Sequence, residues 1–86
     1  KHAYDAIYGA YLDAQRSVTM DGYKLILYPR IQKMRLYNII DDPLEMKDLA
    51  HDANQEKRIA SLYARLLKLQ KEMADKVDLK AAFPEL

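Results

Sequence analysis

The chain has 86 residues, half of them hydrophobic and 31% charged, a length and balance that fit one small folded domain and argue against disorder. Fourteen basic residues against thirteen acidic ones leave a net charge of +1, which supplies no electrostatic case for nucleic acid or an anionic membrane surface. Cysteine is absent, which excludes disulfides, thiolate metal sites and a cysteine nucleophile, and no apolar run approaches the roughly 20 residues needed to cross a bilayer.

The first half reads as strands. Ala6 to Leu12 is a first strand, closed by a weak turn signal at Asp13-Ala14. Gln15 to Met20 alternates, with Arg16, Val18 and Met20 on one side and Gln15, Ser17 and Thr19 on the other. Asp21-Gly22 is then a two-residue hairpin signal, because Gly22 supplies the positive φ that a type I′ turn demands. Tyr23 to Tyr28 is aromatic and aliphatic and stops at Pro29, a strand signal. The two-residue loop pairs Met20 with Tyr23 and Val18 with Leu25, so Val18, Met20, Tyr23, Leu25 and Leu27 share one face, the expected core. A fourth strand, residues 33–38, adds Met34 and Leu36 to it.

The second half reads as helix. Asp42-Pro43-Leu44-Glu45 combines an N-cap, a proline at the first helical position and a capping-box glutamate, so a short helical turn is expected near 43–50. From about 54 to 77 apolar residues recur at Ile59, Leu62, Leu66, Leu69 and Met73, one stripe of an amphipathic helix. The tail from Asp78 to Leu86 has no periodicity. The expected fold is therefore α+β: a four-stranded antiparallel meander packed on one long C-terminal helix. A helix of that span is about 35 Å long, whereas four strands cover some 15–20 Å, so the helix should overhang the sheet or cross it diagonally. A single helix covers one face. The other is expected to carry Tyr8, Leu12, Ile26 and Tyr28, a surface suited to a partner. With its first residue Lys1, the chain reads as a piece of something larger.

The run Gln15-Arg16-Ser17-Val18, then Asp21-Gly22-Tyr23-Lys24-Leu25-Ile26, then Leu36-Tyr37-Asn38, then Asp42-Pro43-Leu44-Glu45-Met46-Lys47-Asp48-Leu49-Ala50 resembles the C-terminal region of the sulfatases, of the bacterial arylsulfatase and choline-sulfatase type. The likeness covers about Tyr8 to Ala50, with the helix following. Thr19 stands where that family often has a second arginine, and Asn38 where it has an acidic residue. The resemblance implies an alkaline-phosphatase-like α/β domain upstream that holds calcium and a formylglycine made from cysteine or serine. The family's nucleophile motif, Cys or Ser followed by x-Pro-x-Arg, has no counterpart here, so no catalytic, cofactor-binding or metal-ligating residue is assigned in this chain. The partner it implies is the remainder of the parent chain, docked on Tyr8, Leu12, Ile26 and Tyr28; an isolated chain would expose that face, or the overhanging helix, and form a homodimer.

The residues with chemical potential have plainer explanations. Asp41 and Asp42 could hold a cation, but a proline follows at once and helix capping accounts for them better. His2 and His51 lie far apart with no ligand set around them, and His51 fits the polar loop before the helix. The seven tyrosines invite sugar stacking, yet six fall in or near strands, where half-buried aromatics are ordinary. Arg16 is the exception. Register puts its guanidinium on the core face beside Leu27, where it needs a carboxylate; Asp41, Asp42 and Glu45 are the candidates. Two other readings stay open: a stand-alone interaction module that dimerises or binds a partner protein, and the C-terminal piece of a related phosphoesterase or phosphonate hydrolase.

Overall fold

The computed structural model describes residues 6–86. In it β1 (Ala6–Tyr11), β2 (Gln15–Met20), β3 (Tyr23–Tyr28) and β4 (Lys33–Asn38) form an antiparallel sheet in the order β1-β2-β3-β4. The β2–β3 turn behaves as its sequence demands: Asp21 and Gly22 both take positive φ, 54° and 79°, as in a type I′ turn. That turn sets Met20 opposite Tyr23, Val18 opposite Leu25 and Arg16 opposite Leu27. Gly22 carries a second constraint, because a Cβ there would run into the Ile40 side chain while the Gly22 carbonyl accepts from Ile39 N at 3.0 Å.

The β1–β2 connection departs from expectation. β1 ends at Tyr11 and not Leu12, and three residues, Leu12 to Ala14, make the loop, closed by Ala14 N donating to Tyr11 O at 3.1 Å. Pairing then runs Tyr11 with Gln15 and Tyr8 with Val18. A two-residue loop would have set Tyr8 against Thr19. The one-residue slip turns β1 over, so Tyr8 lies on the core face and Ile7 and Tyr11 take the outer one.

On the inner face Val18, Leu25, Leu27 and Leu36 are fully buried. Covering them is α1 (Glu56–Glu72), entered through a 3-10 turn at Ala53–Gln55 whose first turn is capped by Asp52, Oδ1 accepting from Asn54 N at 2.9 Å. Its buried stripe is Ile59, Leu62, Tyr63, Leu66 and Gln70. The expected helix to 77 stops at Glu72: Ala74 adopts φ 56° and Asp75 N donates back to Gln70 O at 2.9 Å, a Schellman-type close made without glycine. At about 25 Å, α1 overhangs far less than a helix to 77 would. The aperiodic tail instead folds into α2 (Leu79–Ala82), capped by Asp78 and inserting Leu79 and Phe83 into the core.

Residues 42–50 stay a single turn. Glu45 N donates to Asp42 O at 3.0 Å, and the Asp42 carboxylate accepts from Met46 N and Lys47 N, both at 2.9 Å. Glu45 then takes φ 56°, which ends any helix. Its carboxylate does not complete a capping box; it pairs with Lys24 Nζ at 3.1 Å. The segment returns to the sheet at Asp48 and Leu49, where Leu36 N donates to Asp48 Oδ1 (2.9 Å) and Leu49 N to Leu36 O (2.7 Å), covering the β4 edge.

Candidate functional site

The most densely wired group of polar side chains lies where the end of α1 meets the first hairpin. Arg16 sits on the core face of β2, 6% exposed. Its partner is none of Asp41, Asp42 and Glu45 but Asp75, the residue placed by the left-handed close of α1. Arg16 Nε meets Asp75 Oδ2 at 2.6 Å and Arg16 Nη2 meets Oδ1 at 3.1 Å, a two-pronged pair. Arg16 Nη1 donates to the backbone oxygens of Leu12 and, at 2.8 Å, Gln15, so the same guanidinium ties down the β1–β2 loop. Asp75 also accepts from the Tyr8 hydroxyl, from Gln70 Nε2 (2.9 Å) and from Val77 N (3.1 Å), while Gln70 Nε2 reaches Val77 O at 3.0 Å.

This cluster is closed. Every nitrogen of the guanidinium and both carboxylate oxygens have partners within the protein. Above all the Arg16 guanidinium, and then Tyr8, Gln70 and Val77, hold the Asp75 carboxyl well below the usual carboxylate range despite its burial. Burial, reinforced by the Asp75 charge, pushes the Tyr8 phenol up to about 12. A general acid or base needs a pKa near the working pH and a free approach; Asp75 has neither. The arrangement locks α1 to the sheet.

The other candidates separate. His51 is exposed in the loop before the 3-10 turn, and His2 falls outside the described residues. Asp41 accepts from Asn38 Nδ2 at 3.2 Å, and Asn38 Oδ1 accepts from Ile40 N and Asp41 N, so Asn38 builds the turn that leaves β4. Among the described residues no group of His, Cys, Asp or Glu is placed to hold a metal ion, and no helix is long and apolar enough to cross a membrane.

Of the four residues expected on the outer face, Tyr8 belongs to the inner one, bonded to Asp75. Ile26 does lie on the outer face but is 4% exposed, already covered by its neighbours there. Leu12 is exposed in its loop, and Tyr28 is half-buried opposite Lys33. The apolar surface that remains open on β1 is Ile7 and Tyr11, about two-thirds exposed, which the slipped register hid from the sequence. The outer face thus has two halves: an apolar one on β1, and a basic and aromatic one on β3 and β4 made by Tyr28, Lys33, Arg35 and Tyr37.

No family model and no curated protein matches the chain. A solved structure does: BT4656 in complex with its substrate D-glucosamine-2-N,6-O-disulfate, with a TM-score of 0.68, 22% sequence identity and 83% of this chain covered. The match is one of fold. It occupies only 16% of the BT4656 chain, so this fold recurs as a minor part of a longer protein whose substrate is a sulfated sugar.

Proposed function

We propose that this chain is the non-catalytic C-terminal subdomain of a sulfatase, whose parent protein hydrolyses sulfate esters. The observation that carries the reading is the fold match: a meander and helix like these make up 16% of a protein that takes a disulfated glucosamine as its substrate. The ordered likeness from Gln15 to Ala50 to sulfatase C-terminal regions supports it independently, since each stretch now has a structural task. Asp21-Gly22 makes the β2–β3 turn, Asn38 the turn after β4, Asp42 the capped turn, and Asp48-Leu49 the cover on the β4 edge. The closed Arg16–Asp75 cluster fits a packing role, because it leaves no group free for acid–base work. The calcium ion and formylglycine of such an enzyme, and the chemistry they supply, belong to the remainder of the parent chain. That remainder is the proposed partner, meeting the outer face on its β1 half at Ile7, Tyr11 and Leu12.

The test is turnover of an aryl sulfate by this chain beside the full-length protein. Hydrolysis by the full-length protein and none by these 86 residues is the expected result; turnover by the chain itself overturns the reading.

A further inference from the structure

We propose that the β3–β4 half of the outer face is a binding site for a sulfated saccharide, separate from the centre that cleaves the sulfate ester. A shallow depression of about 280 Å³ lies there, lined by Ile26, Tyr28, Ile31, Lys33, Arg35, Tyr37 and Glu45. Its size is close to the lower end of ordinary small-ligand clefts, about 300 Å³, so it suits one sugar unit and not an extended chain.

The floor is built and rigid. Ile26 and Tyr37 are 4% and 5% exposed, held in two strands whose pairing runs unbroken from Tyr23–Asn38 to Tyr28–Lys33. Tyr37 also orients a cation: Arg35 Nη1 donates to its hydroxyl at 3.4 Å. Lys33 stands opposite Tyr28, a half-buried aromatic in the lining and a residue type that sugar rings pack against.

The charges are the decisive feature. The lining carboxylate, Glu45, is taken by Lys24 at 3.1 Å. Among the described residues neither Lys33 nor Arg35 joins the ion pairs Arg16–Asp75, Lys24–Glu45 and Arg30–Asp13, and both are exposed; the Asp48 carboxylate, whose charge reaches Arg35, accepts from Leu36 N and Ala50 N. Two open cations two residues apart on one strand point the same way. Their combination, a planar guanidinium that can hold two oxygens of one anion and an ammonium beside it, matches a sulfate group on a ring. Proteins that bind nucleic acid also use basic and aromatic residues, but they do so along a continuous track; here the patch is a single pocket on a chain of net charge +1.

The location rests on these residues alone, and the ligand class rests on the sulfatase reading. Titrating the protein with D-glucosamine-2-N,6-O-disulfate, followed by backbone amide NMR, should shift signals at Tyr28, Ile31, Lys33 and Arg35. Lys33→Ala with Arg35→Ala should weaken binding by about tenfold or more, as expected when hydrogen bonds to a charged group are lost, while the spectrum stays folded. Unsulfated glucosamine should bind far more weakly. The proposal is overturned if the sulfated sugar does not bind, if binding survives the double substitution, or if glucosamine binds equally well. A single-stranded oligonucleotide that binds tighter than the sugar also overturns it. A full-length protein without sulfate-ester turnover would sink the sulfatase reading while the binding result stood.

Discussion

The two faces of the sheet meet the same requirement by opposite means. The inner face takes a charged residue, Arg16, into the interior and satisfies it completely with Asp75 and two backbone carbonyls. The outer face buries two side chains, Ile26 and Tyr37, among its strand neighbours and the turn that brings Glu45 to Lys24, and leaves its cations Lys33 and Arg35 exposed. Burial alone therefore does not separate structure from function in this chain. What separates them is saturation. A polar group whose every partner lies inside the protein holds the fold together, and one with unused donors on a firm floor is available to a ligand.

The largest effect that would break this contrast is expected at Asp75. Replacing it with alanine leaves the Arg16 guanidinium buried without its counter-charge, which should cost about 3–5 kcal/mol. Urea unfolding measures it. The double variant Arg16→Met with Asp75→Leu should recover much of the loss, because a well-packed apolar pair is often as good as a buried ion pair; a double variant as unstable as the single one would show that the cluster does more than compensate itself.

A second expectation concerns pH. The folded state holds the Asp75 carboxyl below its ordinary value, so its stabilising share is fully present above the unfolded pKa of roughly 4 and is lost as pH falls below it. Tyr8 works in the other direction. With the phenol raised to about 12, its share is fully present below the ordinary tyrosine value of about 10 and disappears as pH climbs through the folded value. Thermal melting across pH should thus show an acid limb that is shallower in Asp75→Asn and an alkaline limb that is shallower in Tyr8→Phe. Unchanged limbs in both variants would refute the assignment.

The smallest effect belongs to the outer face. Ile7→Ser and Tyr11→Ser remove exposed side chains, so the stability of this chain should move by no more than about 0.5 kcal/mol. In the full-length protein the same substitutions should loosen the contact with the rest of the chain and raise its susceptibility to limited proteolysis. Equal proteolysis of wild type and variants would move the docking surface elsewhere.

Much of this was legible because it is local. The Asp21-Gly22 turn fixes β2 against β3, the alternation in β2 puts Arg16 inside, and the heptad-like spacing in α1 marks Ile59, Leu62 and Leu66. What escaped depends on contacts between distant residues or on a single residue of loop length. Asp13-Ala14 gave no strong turn signal, and one extra loop residue, Leu12, turned all of β1 over and moved Tyr8 to the inner face. Asp75 was hidden inside an apparent helix, because Ala74 takes a left-handed conformation that glycine or asparagine usually announces. The outer-face depression was out of reach for another reason: Lys33 and Arg35 look like ordinary solvated residues until Tyr37 is found buried beside Arg35, its hydroxyl accepting from the guanidinium. The tail escaped as well, since a single helical turn leaves too short a pattern to read, although Leu79 and Phe83 are spaced four apart.

The cover on β4 has a consequence for polymerisation. Leu36 is occupied by Asp48 and Leu49, and Asn38 O by Asp42 N, so the second half of that edge cannot template another strand. Among the described residues β1 has no such cover. The covered half of β4, among the described residues, is thus withheld from the repeating edge-to-edge contact that a fibril requires.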